Sequence, residues 1–414
     1  MGSLVDLFAG CGGMSLGMER AGFHSVFVNE ISPHALSTYV RNQPADSVVH
    51  DPEYQAKDIH DLTGSAPSLA RLKDQVREAS GGDVDLVAGG PPCQGYSGIG
   101  HRRTFNLDKA EIPSNHLYRE MARAVSALEP KAFIFENVAG LLTSKWTKGG
   151  ARGEIWRAVL TEFKRIKDKR GHEYKVDWML IPSKRLGVPQ NRPRIILLGL
   201  RPDVAEVMGE PAGLLPPRDD SVLVRPPDPI EMLGDLLSVP WSPGGVVDVY
   251  HEDPQNDVQL ALRTRRDGSV MAKGETITDQ EFSRHSERVQ ERFRLIRTGR
   301  PVPRGLQTRK FNQRPIPRKW PAGGPTMTVA SLPDDFVHFQ EDRAFTVREW
   351  ARFQGFPDWY EFSGPRTTGG RRRAGDPDAG IWERDLPKFT QIGNAVPVAM
   401  AEWLGNQLQG IRDL

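Results

Sequence analysis

Cysteine is nearly absent from this chain, which has two, Cys11 and Cys93, among 414 residues. Two cysteines cannot build a disulfide framework, and their scarcity indicates a reducing compartment. The sequence also has no Cys-x-x-Cys pair, no Cys/His cluster and no His-Glu-x-x-His motif, so no metal site is predicted. The longest apolar runs, such as residues 195–200, are far too short to cross a bilayer.

Net charge is also small, at +2, and it neither requires nor excludes a nucleic-acid partner. The basic residues are unevenly spread, however, because residues 284–319 contain twelve Arg or Lys and two Glu, a local balance of +10. Concentrated positive charge is typical of a phosphate-binding face, but a solvated, loop-rich surface accounts for it equally well. The composition leaves both interpretations open.

Short apolar runs alternate with helical patterns over the first 200 residues. Strands that alternate with helices predict an α/β fold, with a parallel sheet covered by helices on both faces. Beyond Leu200 the chain becomes rich in proline and glycine, with short helices at best, until helical patterns return near residues 346 and 396. The length predicts two domains, or one domain with a large insertion.

A glycine turn follows the first predicted strand and contains Gly10, Gly12 and Gly13. Such a turn lets the backbone approach a ligand at the start of a helix. Glu30 ends the second predicted strand, where an acid can bind ribose hydroxyls, and Asp58 ends the third, where it suits an exocyclic amine. The pattern predicts a nucleoside ligand without a pyrophosphate. A turn needed only for packing would explain the glycines but not the two acids.

Three further strand ends carry reactive or charged side chains. Cys93 follows two prolines at the carboxyl end of the fourth predicted strand, where open α/β sheets bind ligands and a thiolate could act as nucleophile. Glu136 ends the next strand, and Arg192 and Arg194 flank a proline so that an extended backbone points both to one face. Each also has a purely structural interpretation: Cys93 as a small buried thiol, Glu136 as a helix-capping acid, and the two arginines as a surface charge pair.

Six motifs in order, DLFAGCGG, GGPPCQGYS, ENV, QNRPR, FTVREWARFQGFP and QIGNAVP, resemble those of the DNA cytosine-5 methyltransferase family. The resemblance is to single-chain bacterial members without regulatory domains, and only residues 200–327 lack a clear match. It implies a Rossmann-like class I methyltransferase sheet and a smaller, irregular, basic target recognition domain. The expected domains are 1–200 for catalysis and S-adenosylmethionine, 201–385 for reading DNA, and 386–414 as a return to the first.

The resemblance gives catalytic roles to Cys93, Glu136, Arg192 and Arg194. Cys93 matches the nucleophile that adds to C6 of a flipped-out cytosine, Glu136 the acid that holds the base, and Arg194 the arginine that positions it, with Arg192 and Gln190 beside it. The expected S-adenosylmethionine-binding residues are Phe8, Gly10, Gly12, Gly13, Glu30, Ile31, Asp58, Ile59, Pro91, Asn394, Ala395 and Val396. The expected DNA contacts are Gln94, Ser97, Arg102, Arg103 and Gln190. Arg343 and Arg348 are expected to organise the recognition domain, and no metal is implied.

The implied substrate is double-stranded DNA, methylated in a specific sequence by a cytoplasmic, nucleoid-associated prokaryotic enzyme that yields S-adenosylhomocysteine. A restriction endonuclease or another defence protein acting on the same site is the implied partner, and the chain is expected to be a monomer. Two alternatives stand beside this prediction. A branch of the same family methylates tRNA, and a non-catalytic relative could bind DNA alone.

Overall fold

A seven-stranded sheet forms the centre of the fold in the computed structural model, which describes residues 1–92, 108–308, 313–330, 333–367 and 385–414. The seven strands are β1 (Gly2–Leu7), β2 (Phe23–Asn29), β3 (Gln55–Ala56), β4 (Leu86–Gly89), β5 (Ala132–Val138), β6 (Lys175–Pro182) and β7 (Pro193–Leu200). They lie in the order β3-β2-β1-β4-β5-β7-β6. A pair of two-residue strands, β8 (Arg314–Pro315) and β9 (Phe336–Val337), lies apart from them.

The sheet is mixed, which corrects the prediction of a purely parallel one. Strands β1 to β5 pair in parallel, but β7 is antiparallel to both β5 and β6. Between β6 and β7 the structure has one short 3-10 turn, Ser183–Arg185, and no helix. A parallel crossover needs a dozen or more residues and usually a helix, so this short connection reverses the chain.

Fourteen α-helices occur within the described ranges. They are α1 (Gly13–Arg20), α2 (Pro33–Arg41), α3 (Ile59–Thr63), α4 (Ala66–Ser80), α5 (Tyr118–Leu128), α6 (Glu154–Lys164), α7 (Pro202–Met208), α8 (Pro211–Leu214), α9 (Pro229–Leu233), α10 (Asp257–Arg263), α11 (Glu287–Arg297), α12 (Val347–Gln354), α13 (Lys388–Asn394) and α14 (Val398–Gln407). The predicted α/β class with covered faces is confirmed.

Alternating residues of the sheet enter two apolar clusters, here called the sheet core. In β5, Phe133 and Phe135 pack with α4, α5 and α6, whereas Ile134 packs on the other face with α1, α7 and α14. This alternation is what the two-residue period of a strand requires. Both faces of β5 are therefore buried, and the ends of the strands are left to carry polar groups.

Helix α14 packs directly against α1, so the end of the chain returns to its beginning. A Cβ atom added at Gly17 of α1 would lie 2.5 Å from the Cβ of Ala401 and from the carbonyl oxygen of Val398. Real Cβ atoms do not approach so closely, and only glycine allows these helices to touch at this point. The return brings residues 394–396 beside the loop that follows β1.

A second apolar cluster, here called the second core, forms around α9, α10 and α12 and is rich in aromatic side chains. Within the described residues, its members lie on helices of at most ten residues, on β9 and in loops, as expected for an irregular region. Cys11 and Leu16 of the first half also belong to it. The second core therefore reaches the turn that follows β1.

Candidate active site at the carboxyl edge of the sheet

The turn between β1 and α1 has an unusual backbone. Phe8, Gly10 and Gly12 adopt φ values of +56°, +58° and +86°. A positive φ is uncommon for phenylalanine, and strained residues of this kind concentrate at ligand sites. A Cβ added at Gly10 would meet nothing within 4 Å, whereas one at Gly13 would collide with the carbonyl of Val396. Gly10 thus faces open space, and Gly13 makes room for the returning chain.

Glu30 follows β2 and reaches back to this turn. One carboxylate oxygen accepts a hydrogen bond from Gly10 N (2.9 Å), and the other accepts one from Ser32 N (2.7 Å) at the start of α2. Burial raises the pKa of Glu30, although these two backbone donors oppose that effect. Next to this acid, the apolar side chain of Ile31 is 69% exposed. A buried acid beside an exposed apolar side chain is well suited to a nucleoside.

Asn29, the last residue of β2, joins three strand ends and was missed in the sequence. Its side-chain oxygen accepts a hydrogen bond from Phe8 N (3.3 Å), and its amide nitrogen donates to the carbonyls of Ala56 (3.2 Å) and Lys57 (2.9 Å). Its position directly before Glu30, at the end of an apolar strand, could have identified it as a residue of the site. Through Asn29, Phe8 and Asp58 are held at one edge of the sheet.

Asp58 and Ile59 lie at the third strand end, as predicted, with different surroundings. Asp58 is half-buried and caps helix α3, where its carboxylate accepts a hydrogen bond from His60 N (2.9 Å). Ile59 is 3% exposed and packs in the sheet core. The structure therefore places a carboxylate, but not an isoleucine surface, at this end of the pocket.

Glu136 and Arg194 form an ion pair at the ends of two neighbouring antiparallel strands. The Nε of Arg194 lies 2.5 Å from Oε1 of Glu136, and the side chains are 9% and 11% exposed. Gly90 allows the carboxylate to lie there, because a Cβ at this position would be 2.8 Å from Oε2 of Glu136. The pair combines hydrogen-bond acceptors and donors in a partly dry site.

Asn137, the neighbour of Glu136, holds the segment that leads to Cys93 and was also missed. Its amide nitrogen donates to the carbonyl of Pro91 (3.1 Å), and its side-chain oxygen accepts a hydrogen bond from Val138 N (2.9 Å). Pro91 is buried at the end of β4, in the same cleft as Glu136. The predicted residues Cys93, Gln94, Ser97, Arg102 and Arg103 lie outside the described residues.

Gln190 is buried, and this corrects the expectation that it lies at the DNA surface. Its side chain is 0% exposed; its oxygen accepts a hydrogen bond from Val329 N (2.9 Å), and its nitrogen donates to the carbonyl of Phe353 (3.2 Å) and to Gln354. Every polar atom of the amide is used within the protein. Gln190 therefore braces the first half against the segments at 329 and 353.

Arg192 does not share its partners with Arg194, contrary to the expectation that both face one ligand. Its guanidinium donates to the carbonyls of Val329 (2.7 Å) and Gly393 (2.6 Å). Arg192 precedes β7, while Arg194 lies within that strand and is held in register opposite Val138. The partners of Arg192 lie in two distant segments, so the two side chains do not converge.

Asn394, Ala395 and Val396 lie beside the glycine turn, although they are about 380 residues away in the sequence. A Cβ added at Gly13 would lie 3.2 Å from the Cβ of Ala395, closer than most real Cβ contacts, and the Ala395 carbonyl accepts a hydrogen bond from Gln354. Asn394 is exposed at the end of α13. The edge of the sheet thus brings together the turn, Glu30, the 394–396 segment and the Glu136–Arg194 pair.

Cys11 lies in the glycine turn but cannot serve as a nucleophile. Its side chain is 1% exposed in the second core, and burial raises the pKa of this thiol far above its ordinary value. A neutral, buried thiol is unreactive. Of the two cysteines in the chain, Cys93 is the remaining candidate.

The basic segment at 284–319 is partly neutralised from within. Arg294 and Arg297 of α11 both pair with Asp342 at 3.0 and 2.9 Å. Other cations of this segment lie on the surface: Arg284, Arg288, Arg300, Arg304, Arg314, Arg318 and Lys319. Most of the excess positive charge therefore remains available to solvent or to phosphate groups.

Two negative findings concern the residues that the structure describes. None of their helices has the length and apolar character needed to cross a membrane. Their His, Cys, Asp and Glu side chains also form no group of three or more that could hold a metal ion.

Comparison with known proteins gives concordant results. The family model for C-5 cytosine-specific DNA methylase matches residues 2–410. The Type II methyltransferase M.DdeI of Desulfomicrobium norvegicum is 32% identical over 428 residues, covering 98% of this chain and 88% of the relative. The Type II methyltransferase M1.HphI of Haemophilus parahaemolyticus is 29% identical, covering 96% and 84%. A solved Escherichia coli DNA modification methyltransferase encoded within a prophage, 22% identical, has a TM-score of 0.65 over 100% of both chains, which shows the shared fold.

Proposed function

Because the chain belongs to the C-5 cytosine-specific DNA methylase family, we propose that it methylates a cytosine of DNA at the C5 atom. Its catalytic residues in this proposal are Cys93, Glu136 and Arg194. The observation that carries these roles is the 2.5 Å contact between Glu136 and Arg194. It lies in the cleft next to Pro91, two residues before Cys93. Cytosine offers the complementary groups, an amine that donates hydrogen bonds and a carbonyl oxygen that accepts them.

Cys93 begins the proposed reaction by adding to C6 of the cytosine as a thiolate. The S–C6 bond forms while the C5–C6 double bond opens, and its electrons make C5 nucleophilic. Glu136 holds the amine and N3 edge, and a proton between its carboxyl group and N3 offsets the negative charge that the thiolate brings to the ring, while Arg194 donates to the carbonyl oxygen. C5 takes the methyl group, and a water molecule then accepts the C5 proton. The C5–C6 double bond re-forms as the S–C6 bond breaks, which returns Cys93 to its thiolate form. The base must leave the stacked duplex for Cys93 to reach C6.

S-adenosylmethionine, when bound, supplies the methyl group and becomes S-adenosylhomocysteine. The residues of the glycine turn fit this ligand, because the open space at Gly10 lets it approach the backbone. Glu30 would accept hydrogen bonds from the ribose hydroxyls, and Phe8 and Ile31 would contact the adenine. Asp58 would accept a hydrogen bond from the adenine amine. Pro91 and residues 394–396 would contact the methionine part.

The substrate that fits the surface is duplex DNA, read by the irregular region within residues 201–385. Exposed cations of the 284–319 segment would contact phosphates, which position a protein on DNA without reading its sequence. Two relatives are named Type II methyltransferases, and we place this chain in the same kind of system. It would act as a cytoplasmic monomer and mark sites that a partner endonuclease would otherwise cut.

Replacement of Cys93 tests the mechanism, with the other cysteine as control. Cys93→Ala is expected to reduce methyl transfer by at least about 10³-fold, because no nucleophile remains to activate C5. Cys11→Ala is expected to retain transfer, since Cys11 is buried. The measurement is incorporation of labelled methyl groups into duplex DNA, together with trapping on DNA that contains 5-fluorocytosine. Fluorine cannot leave C5 as a proton does, so the S–C6 bond persists and the adduct survives a denaturing gel.

A trapped adduct is expected for the wild type and Cys11→Ala and not for Cys93→Ala. Undiminished transfer by Cys93→Ala would contradict the mechanism. The DNA assignment is tested separately by expression in a methylation-free host and cytosine-resolved sequencing of its DNA. One short methylated sequence is expected, and methylated tRNA with unmodified DNA would contradict the choice of substrate.

A further inference from the structure

Tyr360, far along the chain, lies against the glycine turn. Its hydroxyl donates a hydrogen bond to the carbonyl of Cys11 at 2.6 Å, and the side chain is 1% exposed. A Cβ added at Gly12 would lie 2.5 Å from the Tyr360 oxygen. On the basis of the proposed function, we infer that Tyr360 is a positioning residue for S-adenosylmethionine, which it serves by fixing the Cys11 carbonyl and with it the turn.

The Cys11 carbonyl needs an outside partner because of its place in the turn. Gly12 is the N-cap of α1 and has no side chain, so the helix receives no side-chain cap at its start. The turn closes on itself through Gly12 N, which donates to the Ala9 carbonyl at 3.1 Å. A buried carbonyl without a donor is unfavourable. The Tyr360 hydroxyl satisfies it, and burial raises the pKa of that hydroxyl, which keeps its proton available.

Tyr360 is itself held rigidly by Arg348. This arginine is 0% exposed and donates to the carbonyls of Pro357 (3.0 Å) and Tyr360 (2.8 Å). The rings of Phe356 and Phe362 pack on the Tyr360 ring, with centroids 4.8 and 5.6 Å away. These contacts hold the Tyr360 hydroxyl in place, so the hydroxyl keeps the Cys11 carbonyl in one position.

The residues next to Tyr360 are attached to the other side of the same pocket. Asn42, which ends α2, accepts a hydrogen bond from Glu361 N (2.9 Å) and donates one to the Glu361 carbonyl (2.7 Å). Thr38 of α2 accepts a hydrogen bond from Ser363 N (2.8 Å). Helix α2 begins directly after Glu30 and Ile31. Residues 360–363 thus contact both the turn and the helix that follows the ribose acid.

Tyr360→Phe tests the inference, because it removes the hydroxyl and keeps the ring. The matched control is Tyr174→Phe, whose hydroxyl also donates to a buried backbone carbonyl at 2.6 Å, that of Pro130, and whose ring packs in the sheet core. Binding of S-adenosylhomocysteine is measured by calorimetry, alongside KM for S-adenosylmethionine and kcat. Tyr360→Phe is expected to raise Kd and KM about three- to tenfold with kcat within about twofold of wild type.

Tyr174→Phe is expected to lower the melting temperature as Tyr360→Phe does while Kd stays at the wild-type value. Equal Kd values for Tyr360→Phe and wild type would overturn the inference, as would an equal rise in both variants. Loss of kcat without a change in KM would overturn it too, since that result belongs to a catalytic role. If wild type does not bind S-adenosylhomocysteine, both this inference and the proposed cofactor fail; if it binds, only the Tyr360 role is at stake.

Discussion

The sheet core and the second core satisfy their buried backbone groups in different ways. In the sheet core, the backbone is satisfied by strand pairing, and the side chains between strands and helices are apolar. The second core has little strand pairing among the described residues. Four arginines lie in it with at most 1% exposure: Arg263, Arg343, Arg348 and Arg352.

Buried guanidinium groups take over the role of the missing strand partners. Arg263 donates to the carbonyls of Met271 (2.6 Å) and Glu252 (2.8 Å), and Arg352 donates to that of Met232. Each loop carbonyl that leaves water needs a donor, and one arginine offers five. Irregular backbone can therefore be buried without a sheet, provided that the added charge is neutralised.

Carboxylates supply that neutralisation. Arg352 pairs with Asp235 at 2.6 Å and with Asp358 at 2.5 Å, and Arg343 pairs with Glu349 at 2.7 Å. Burial alone would raise the pKa of Glu349, but the Arg343 guanidinium and its hydrogen bonds outweigh burial and lower that pKa to about 2. Arg343 and Arg348 were expected to organise this region, and their contacts are of that kind.

Arg352→Met should produce the largest loss of stability. It would leave Asp358 buried without a cation and Asp235 with Arg263 alone, at 3.3 Å, and breaking such a buried pair costs about 3–5 kcal/mol of unfolding free energy. Urea denaturation measures the loss. The control is Arg218→Met, which removes a surface pair with Asp177 and should cost less than about 1 kcal/mol. Similar losses in both variants would show that the buried network is not what stabilises the second core.

Gly199→Ala should destabilise the sheet core by overpacking. A Cβ at Gly199 in β7 would overlap the ring of Phe133 in β5, and overpacking of this kind costs about 1–3 kcal/mol. Gly213→Ala is the control, because a Cβ there meets nothing within 4 Å, and it should stay within about 0.5 kcal/mol of wild type. The same urea titration reports both variants. A neutral Gly199→Ala would mean that the sheet core can yield at this contact.

Acid should destabilise the region around α11 through His285, whose ring packs on Phe293, with the smallest effect of the three. Burial, together with Arg366, Arg292 and Arg343, lowers the pKa of His285 to about 4. The unfolded chain binds a proton near pH 6.5 and the folded chain near pH 4, so stability falls as pH drops between these values. His285→Gln should reduce the loss of unfolding free energy between pH 7 and pH 5. If the dependence of unfolding free energy on pH is the same in His285→Gln as in wild type, His285 is not the group that causes the loss.

The sequence was most informative where neighbours in the chain are also neighbours in space. Gly10, Glu30, Asp58 and Glu136 each follow or end a strand, and strand ends can be found from apolar runs. The reversed strand β7 and the separation of Arg192 from Arg194 were not predictable in this way. The position of Arg192 depends on the carbonyls of Val329 and Gly393, which lie 137 and 201 residues away. The direction of β7 follows instead from its short connection to β6.

Supporting residues were harder to find than reactive ones. Asn29 and Asn137 stand next to predicted acids, yet their hydrogen-bond partners are the carbonyls of Lys57 and Pro91, which follow other strands, β3 and β4. Tyr360 reaches Cys11 across 349 residues. Local patterns report what a side chain can do chemically, but not which distant backbone group it will meet.

The contact between α14 and α1 also bears on synthesis of the chain. Ribosomes make α1 first and α14 last, so Met14 and Met18 keep an uncovered apolar face until Met400 and Leu404 emerge. A chain that stops before α13 lacks both that cover and residues 394–396. If residues 394–396 complete the cofactor pocket as proposed, incomplete translation products would lack it, and DNA would meet methylation activity only from molecules that already contain residues 201–385.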